Sequence, residues 1–478
     1  MQSERMVIGG ERVEAADGRT LEVRDPADDR LVALVPDGGA EATRAAIDAA
    51  SDALAGWRRL TARSRAELLR RLATLLRRDR DALAALMTDE QGKPLAEAGG
   101  EVEYSASFLD VAAEAGPQFA GEIVPSSTPD RRILVMPEPL GVAAIITPWN
   151  FPLAMIARKL APALAVGCTV VVKPDERTPL SGLRVGELAL EAGIPPGVVN
   201  VLTGRPQPIG AAILDDPRVR AISFTGSTEV GRMLMAGASR HLARVSLELG
   251  GHAPLLVFAD ADLARAADAA ASCKLRNAGQ TCICANRILV EAPVAEEFLA
   301  LLDARIRLHQ VGRGRDAGTT IGPLIDDAAV EKVERHVADA LAKGARLRRG
   351  GARVERPGLA RRFFAPTLLD GLDRSMRIWQ EETFGPVAAV GRFRDEAEAI
   401  AMANDSPYGL AAYFFTRDAS RLMRVAEALA CGIVGANDAL PSTAEAPFGG
   451  VKQSGFGREG GRWGLEEFSS LKYVSWRI

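Results

Sequence analysis

The stretch GVAAIITPWNFPLAMIARKLAPALAVGCTVVVKPDE (141–176) decides the fold. Two apolar, β-like runs, GVAAIIT (141–147) and CTVVVK (168–173), bracket a helical segment, PLAMIARKLAPALAVG. The alternation continues through GVVNVL (197–202) and RAISF (220–224), with TPLSGLRVGELALEAG and PIGAAILDD between them and STEVGRMLMAGASRHL after. Strands alternating with helices at this spacing predict βαβ units and a parallel, doubly wound sheet, an α/β fold.

Upstream, TLEVRDP has β character, and residues 40 to about 115 are helix-rich. From Ala66 to Met87, Leu68, Leu69, Leu72, Leu75, Leu76, Leu83 and Leu86 recur at helical spacing with arginines between them. GEIVPSSTPDRRILVMPEP (121–139) is rich in Pro and Ser and reads as an extended arm or hairpin. A second mixed region runs from about 250 to 450. The tail LKYVSWRI sets Val474, Trp476 and Ile478 on one face of a strand that needs a pairing partner, such as another subunit.

At 478 residues the chain has room for two to four domains. It is 47% hydrophobic and 25% charged, an ordinary globular balance able to bury a sizeable core. Net charge is −3 with no long block of one sign, which argues against nucleic acid or a membrane surface as partner. The N-terminus lacks an apolar signal region, and the apolar runs are too short and interrupted to span a bilayer. Five cysteines, an odd number spread over a long chain, do not form a secreted disulfide framework. These features lead us to expect a cytoplasmic protein with reduced thiols.

No GxGxxG follows the first strand of the alternation, yet two features suit a dinucleotide. VVVKPDE ends a strand with Lys173 and Glu176 placed to bond ribose hydroxyls. A carboxylate there repels a 2′-phosphate, which favours NAD over NADP, while Arg177 next to it works the other way. ISFTGSTEVG runs from strand into helix, so Gly226 and Ser227 stand where free amides and the helix dipole favour an anion. Arg232 and Met233 follow Gly231, where a P-loop needs Lys and Ser or Thr. A plain glycine-containing turn before a capped helix fits the same residues.

NAGQTCICANR (277–287) holds two of the cysteines. The four histidines, His241, His252, His309 and His336, are scattered, so a zinc cluster is not indicated. A disulfide between Cys282 and Cys284 closes a very tight, strained ring. Cys284, like Cys168, Cys273 and Cys431, reads as core. Cys282 follows a polar, glycine-containing turn and is a candidate nucleophile, for which a thiol needs a base or a depressed pKa. SLELGGHAP offers two bases, His252 and Glu248, the latter hinged by Gly250 and Gly251. Glu248 as a strand-end ion pair fits the pattern as well.

Four stretches together, TPWNFP (147–152), FTGSTEVG (224–231), LELGG (247–251) with GQTC (279–282), and EETFGPV (381–387), resemble the aldehyde dehydrogenase superfamily over nearly the whole chain. The resemblance implies a Rossmann-type NAD(P) domain over 1–120 and 141–247, an α/β catalytic domain over 248–449, and bridging segments at 121–140 and 450–478 that build dimers or tetramers. It implies Cys282 as nucleophile, Glu248 as base and Asn150 as oxyanion donor, with Lys159 and Glu459 tied to proton movement. Lys173 and Glu176 match its adenosine-ribose positions, Gly226 and Ser227 its pyrophosphate turn, and Glu382 and Phe384 its nicotinamide positions. Thr147, Trp149 and Leu249 lie in the same motifs and join the cofactor set. The cofactor expected is NAD, with NADP possible.

A narrower resemblance, in MIARK (155–159), KLRNAGQTCICANR (274–287) and APFGGVKQSGFGREGG (446–461), is to succinate-semialdehyde dehydrogenases. It implies that Arg158, Arg276 and Ser442 clamp a distal carboxylate, as guanidinium groups do with charge-assisted bonds. Pro441 departs from the subfamily pattern, and glutarate semialdehyde differs by one methylene, worth only about 1–3 kcal/mol. Aromatic or broad-range aldehydes remain alternatives. A CoA-acylating enzyme has little use for Glu248, and a non-catalytic scaffold would have no need of Cys282 and Asn150. A cysteine hydrolase without cofactor predicts no change in NADH absorbance with any aldehyde. A mild oxidant joining Cys282 to Cys284 is a further expectation to set against the geometry.

Overall fold

The computed structural model describes residues 3–478. The run of strands seen in the sequence builds one sheet: β1 (Val142–Ile146), β2 (Thr169–Lys173), β3 (Val199–Val201), β4 (Val219–Thr225) and β5 (Arg244–Glu248). Their order across the sheet is β3-β2-β1-β4-β5, all parallel. β1 and β2 are buried almost throughout because helices cover both faces, hence their continuous apolar sequences. The chain order reverses between β1 and β4. The crevice beyond the carboxyl ends of those two strands is the place where open α/β sheets bind ligands.

A second sheet contains β6 (Pro254–Val257), β7 (Arg287–Glu291), β8 (Thr367–Asp370), β9 (Val387–Phe393), β10 (Ala411–Phe415) and β11 (Ile433–Ala436). They lie parallel in the order β8-β9-β7-β6-β10-β11. Each sheet has its own apolar core.

The leucine-rich stretch forms helix α1 (Ala62–Arg78), which buries Leu69, Leu72 and Leu76 at three- and four-residue spacing. Thr61 caps it, its Oγ1 accepting from the Ser64 N–H at 3.1 Å. α2 (Leu95–Ala115) packs on α1 and on α3 (Ala154–Val166). α3 is buried on almost every side, Arg158 and Lys159 included.

The segment at 121–139 is the hairpin expected: Glu122–Val124 pairs antiparallel with Arg131–Pro139. The tail strand Ser469–Arg477 pairs along the other side of Arg131–Pro139, within the same chain. Gly455–Phe456 instead pairs with β5, so the segment from 450 divides between the first sheet and the arm. Among the described residues no helix is long and apolar enough to cross a membrane.

Candidate active site

A cavity of about 720 Å3 is lined from both sheets. Trp149 and Asn150 follow β1, Gly226 and Ser227 follow β4, and Leu249 follows β5. Cys282, Glu382 and Phe384 face them from the second sheet's side.

Cys282 sits just after a left-handed turn. Asn277, Ala278 and Gly279 have φ of 51°, 55° and 74°, reached from the end of α5 (Leu263–Leu275). Asn tolerates this conformation. Gly279 is also required sterically, since a Cβ there would stand 2.2 Å from the Gly385 carbonyl oxygen. Burial, with the Glu382 charge second, pushes the Cys282 thiol up to about 12. Asn150 is buried, and its Nδ2 donates to the Gln280 carbonyl at 2.9 Å. A carbonyl can only accept, which fixes the amide's orientation and leaves one Nδ2 hydrogen for another acceptor.

Glu248 ends β5, fully buried, with neither carboxylate oxygen hydrogen-bonded. Burial and the nearby Glu459 charge hold it well above the usual carboxylate range, against the pull of Arg158 and Lys159. Lys159 Nζ donates to Thr225 Oγ1 at 2.6 Å and to Glu459. Arg158 Nε lies 2.5 Å from Glu459 Oε2 without hydrogen-bond alignment, and the Arg158 Nη2 has no partner. The other candidate base, His252, is turned away: its Nε2 meets the Trp379 carbonyl at 2.6 Å, and burial pushes its pKa well below the ordinary value.

Of the residues expected at the cofactor, Trp149, Gly226, Ser227, Leu249, Glu382 and Phe384 line the cavity, whereas Thr147, Lys173 and Glu176 do not. Lys173 Nζ bonds the Pro174 carbonyl at 2.9 Å and Glu176 at 3.1 Å, at the carboxyl end of β2. Thr147, whose N–H donates to the Lys173 carbonyl at 3.1 Å, has a buried hydroxyl without a partner. Ser227 caps α4 (Thr228–Ala238) through a 3.3 Å bond to the Val230 N–H. Gly226 is needed because a Cβ would strike the Phe224 ring at 2.3 Å. Leu249 packs against Gly231 of α4. Trp149 meets Phe384 edge-on, ring centroids 5.6 Å apart. Glu382 accepts from the Gly251 N–H at 3.2 Å, and burial lifts it to about 7. Arg177 is held by Asp175 at 2.9 Å and Asp326 at 2.8 Å, so its charge is already matched.

This donor set fits a dinucleotide. The Gly226–Ser227 turn at the N-terminus of α4 and the half-buried Glu382 carboxylate line a cavity within the usual range of about 300–1,000 Å3 for ligand sites, and the Lys173–Glu176 pair stands at the end of β2.

Arg158, Arg276 and Ser442 each meet an aromatic side chain. Arg276 lies over the Phe151 ring at 4.9 Å, and Arg158 over Phe448 at 4.0 Å and Phe108 at 5.3 Å. Ser442 Oγ bonds Tyr104 Oη at 2.5 Å, and Tyr104 packs edge-on against Phe108. None of the three lines the large cavity, whereas Met155, in contact with Arg158, does. Nothing in the sequence marks Tyr104 as a member of this group, since a tyrosine inside a helix carries no local mark of a partner 338 residues along the chain. Cys284 is fully buried, with its sulfur held between Lys274 Nζ at 3.5 Å and the Gly279 carbonyl at 3.3 Å.

Residues 13–474 match the family described as Aldehyde dehydrogenase family. The chain is 51% identical to the succinate-semialdehyde dehydrogenase (NADP(+)) GabD of Escherichia coli, over 98% of this chain and 97% of that one. It is 50% identical to a glutarate-semialdehyde dehydrogenase of Pseudomonas putida, over 98% and 96%. A crystal structure of succinate-semialdehyde dehydrogenase from Burkholderia pseudomallei superposes with a TM-score of 0.97 at 50% identity, covering 99% and 98%. The cavity, its cysteine turn and these likenesses along the whole length converge: the chain belongs to the aldehyde dehydrogenase family and is an NAD(P)-dependent oxidoreductase.

Proposed function

We propose that this enzyme oxidises a short ω-oxo acid, succinate semialdehyde first, to the dicarboxylic acid. One observation carries the substrate reading. Two guanidinium groups, Arg158 and Arg276, lie over aromatic rings, and Tyr104 of the Ser442–Tyr104 hydroxyl pair packs on one of them, Phe108. Met155, in contact with Arg158, lines the Cys282 cavity, and the Arg158 charge acts on Cys282. A carboxylate bound there holds the aldehyde at a fixed reach from the sulfur. Glutarate semialdehyde is the second reading, since a relative at 50% identity carries that name.

In this mechanism Cys282 attacks the carbonyl carbon. A thiol near 12 needs a base, and a desolvated carboxylate with a raised proton affinity suits it, so Glu248 takes the proton. The free Asn150 Nδ2 hydrogen and the Cys282 N–H hold the oxyanion, where losing one donor typically costs about 10²–10³ in rate. NAD(P), held by Lys173, Glu176, Ser227, Glu382 and their neighbours, supplies the hydride acceptor when bound. Lys159 with Glu459 carries the thiol proton away from Glu248. The ionised Glu248 then takes a proton from water as the water oxygen adds to the acyl carbon and the Cys282 thiolate leaves.

Glu176 beside Lys173, with Arg177 neutralised by two aspartates, supports NAD as the preferred coenzyme. The exposed apolar side chains of the three-stranded arm, Ile123, Leu471, Tyr473 and Trp476, support assembly into dimers or tetramers. The first sheet with residues 1–120 and 141–247 is assigned to the cofactor, and 248–449 to catalysis. The charge balance supports a small-molecule substrate over nucleic acid or a membrane surface, and the spread of five unpaired cysteines supports the cytoplasm.

Initial rates with succinate semialdehyde, glutarate semialdehyde, butanal and benzaldehyde test the substrate. The expected result is a kcat/KM at least about tenfold higher for the two ω-oxo acids. Equal efficiency with butanal overturns the reading.

A further inference from the structure

The two oxyanion donors come from different parts of the chain. Asn150 follows β1 of the first sheet, whereas the Cys282 N–H belongs to the turn after α5. Their spacing is therefore not set by any one element. The polar groups buried between them supply the link.

Lys93, in the break before α2, is 2% exposed, an unusual place for an ammonium group. Its Nζ donates to the Asn150 backbone carbonyl at 2.7 Å and to Glu101. Glu101 in turn accepts from the N–H groups of Leu153 at 2.9 Å and Ala154 at 3.1 Å, where α3 begins. The loop carrying Asn150 is thus tied at its carbonyl and just beyond it. The same carbonyl accepts a second bond, from Asn277 Nδ2 at 2.9 Å.

Asn277 opens the cysteine turn. Its carbonyl accepts from the Gln280 N–H at 3.0 Å and from Gln280 Nε2 at 3.1 Å. The Gln280 carbonyl is the group that orients the Asn150 side chain. Gln91 completes the ring: its Nε2 donates to Asn277 Oδ1 at 3.1 Å and its Oε1 accepts from the Lys93 N–H at 3.0 Å. One closed network of direct hydrogen bonds therefore links both segments.

We propose that Lys93 and Asn277 are positioning residues that clasp the Asn150 loop to the cysteine turn and so set the oxyanion site. Neither touches substrate; both act through Asn150 and Gln280. The inference rests on the reading of Asn150 as an oxyanion donor. Its logic is geometric, since a displacement of about 1 Å in a reacting site can cost about 10²-fold in rate.

The test uses the full-length enzyme. Lys93→Met with Glu101→Gln removes the ammonium without stranding a buried carboxylate, and keeps an oxygen for the α3 amides. Asn277→Gly removes the side-chain clasp while keeping the left-handed backbone at no steric cost, and it decides the matter if the first variant does not fold. Each is measured alone and combined with Asn150→Ala. We expect kcat to fall about tenfold or more in each, with aldehyde and coenzyme KM within about twofold. In the Asn150→Ala background the further loss shrinks to within about twofold, because the residue acted upon is gone. A wild-type kcat in Asn277→Gly, or losses that multiply with Asn150→Ala, overturns the clasp and leaves the oxyanion reading standing. A wild-type kcat in Asn150→Ala itself overturns that reading and the clasp with it.

Discussion

Arg158 Nε lies 2.5 Å from Glu459 Oε2 inside the protein, and Lys159, the next residue, bonds the other oxygen of the same carboxylate. The guanidinium assigned to substrate thus also serves a structural charge through Nε, while its Nη2 has no partner. Arg276 makes no ion pair of this kind and is only half-buried, over Phe151. The two arginines should therefore fail differently. Breaking a buried pair costs about 3–5 kcal/mol, so Arg158→Ala should lower the melting temperature and depress kcat with every aldehyde. Arg276→Ala should keep the melting temperature, raise KM for succinate semialdehyde about tenfold or more and leave butanal unchanged. Thermal unfolding and a two-substrate rate comparison check both. A selective KM effect in Arg158→Ala with unchanged stability would reverse the assignment.

How much of this was readable in advance follows from range. The alternation of apolar runs announced the parallel sheet because strand and helix periodicities are local. The cysteine turn stood out because NAGQTC is polar and contains a glycine, unlike the middle of an apolar core element. What could not be read were pairings across hundreds of positions. Glu459 beside Arg158 and Lys159, Tyr104 on Ser442, and Lys93 under Asn150 leave no local trace. A lysine after Gly92 looks like any surface lysine, and Arg158 in AMIARKLAPAL looks like a solvated face. Only the burial of α3 on nearly every side reveals otherwise.

Coenzyme choice should respond to a single carboxylate. Glu176 is bonded to Lys173, and Arg177 is occupied by Asp175 and Asp326. Replacing Glu176 by Ser removes the charge that repels a 2′-phosphate and frees Lys173 to bind one. The ratio of kcat/KM for NADP to that for NAD should rise about tenfold or more, a change of about 1.4 kcal/mol. Kinetics with both coenzymes measure it. An unchanged ratio removes Glu176 from the ribose site.

Glu382 predicts a pH dependence with a definite sign. Burial lifts it to about 7, so it is ionised above that pH and protonated below. Ribose hydroxyls donate to the carboxylate more strongly than to the acid. Coenzyme KM should therefore increase as pH falls from 8 to 6, by about tenfold per unit once Glu382 is mostly protonated. Glu382→Gln should show a high, pH-independent coenzyme KM over the same range. A wild-type KM that stays flat would show that this carboxyl does not bind the coenzyme as its ionised form.

The pairing of a thiol near 12 with an unpartnered, proton-avid Glu248 makes the first chemical step testable on its own. With Glu248 in place, the thiol hands its proton to the carboxylate, so the burst of reduced coenzyme in the first turnover should vary little between pH 7 and 9. In Glu248→Gln the thiol must ionise into solvent instead. The burst should then slow by about 10²–10⁴ at pH 7 and climb about tenfold per pH unit, following the thiolate fraction. Steady-state turnover should fall too, because the acylated enzyme lacks its water-activating base. Stopped-flow absorbance across that pH range separates the two effects. A fast, pH-independent burst followed by slow turnover would confine Glu248 to the hydrolytic step and leave another group to deprotonate Cys282.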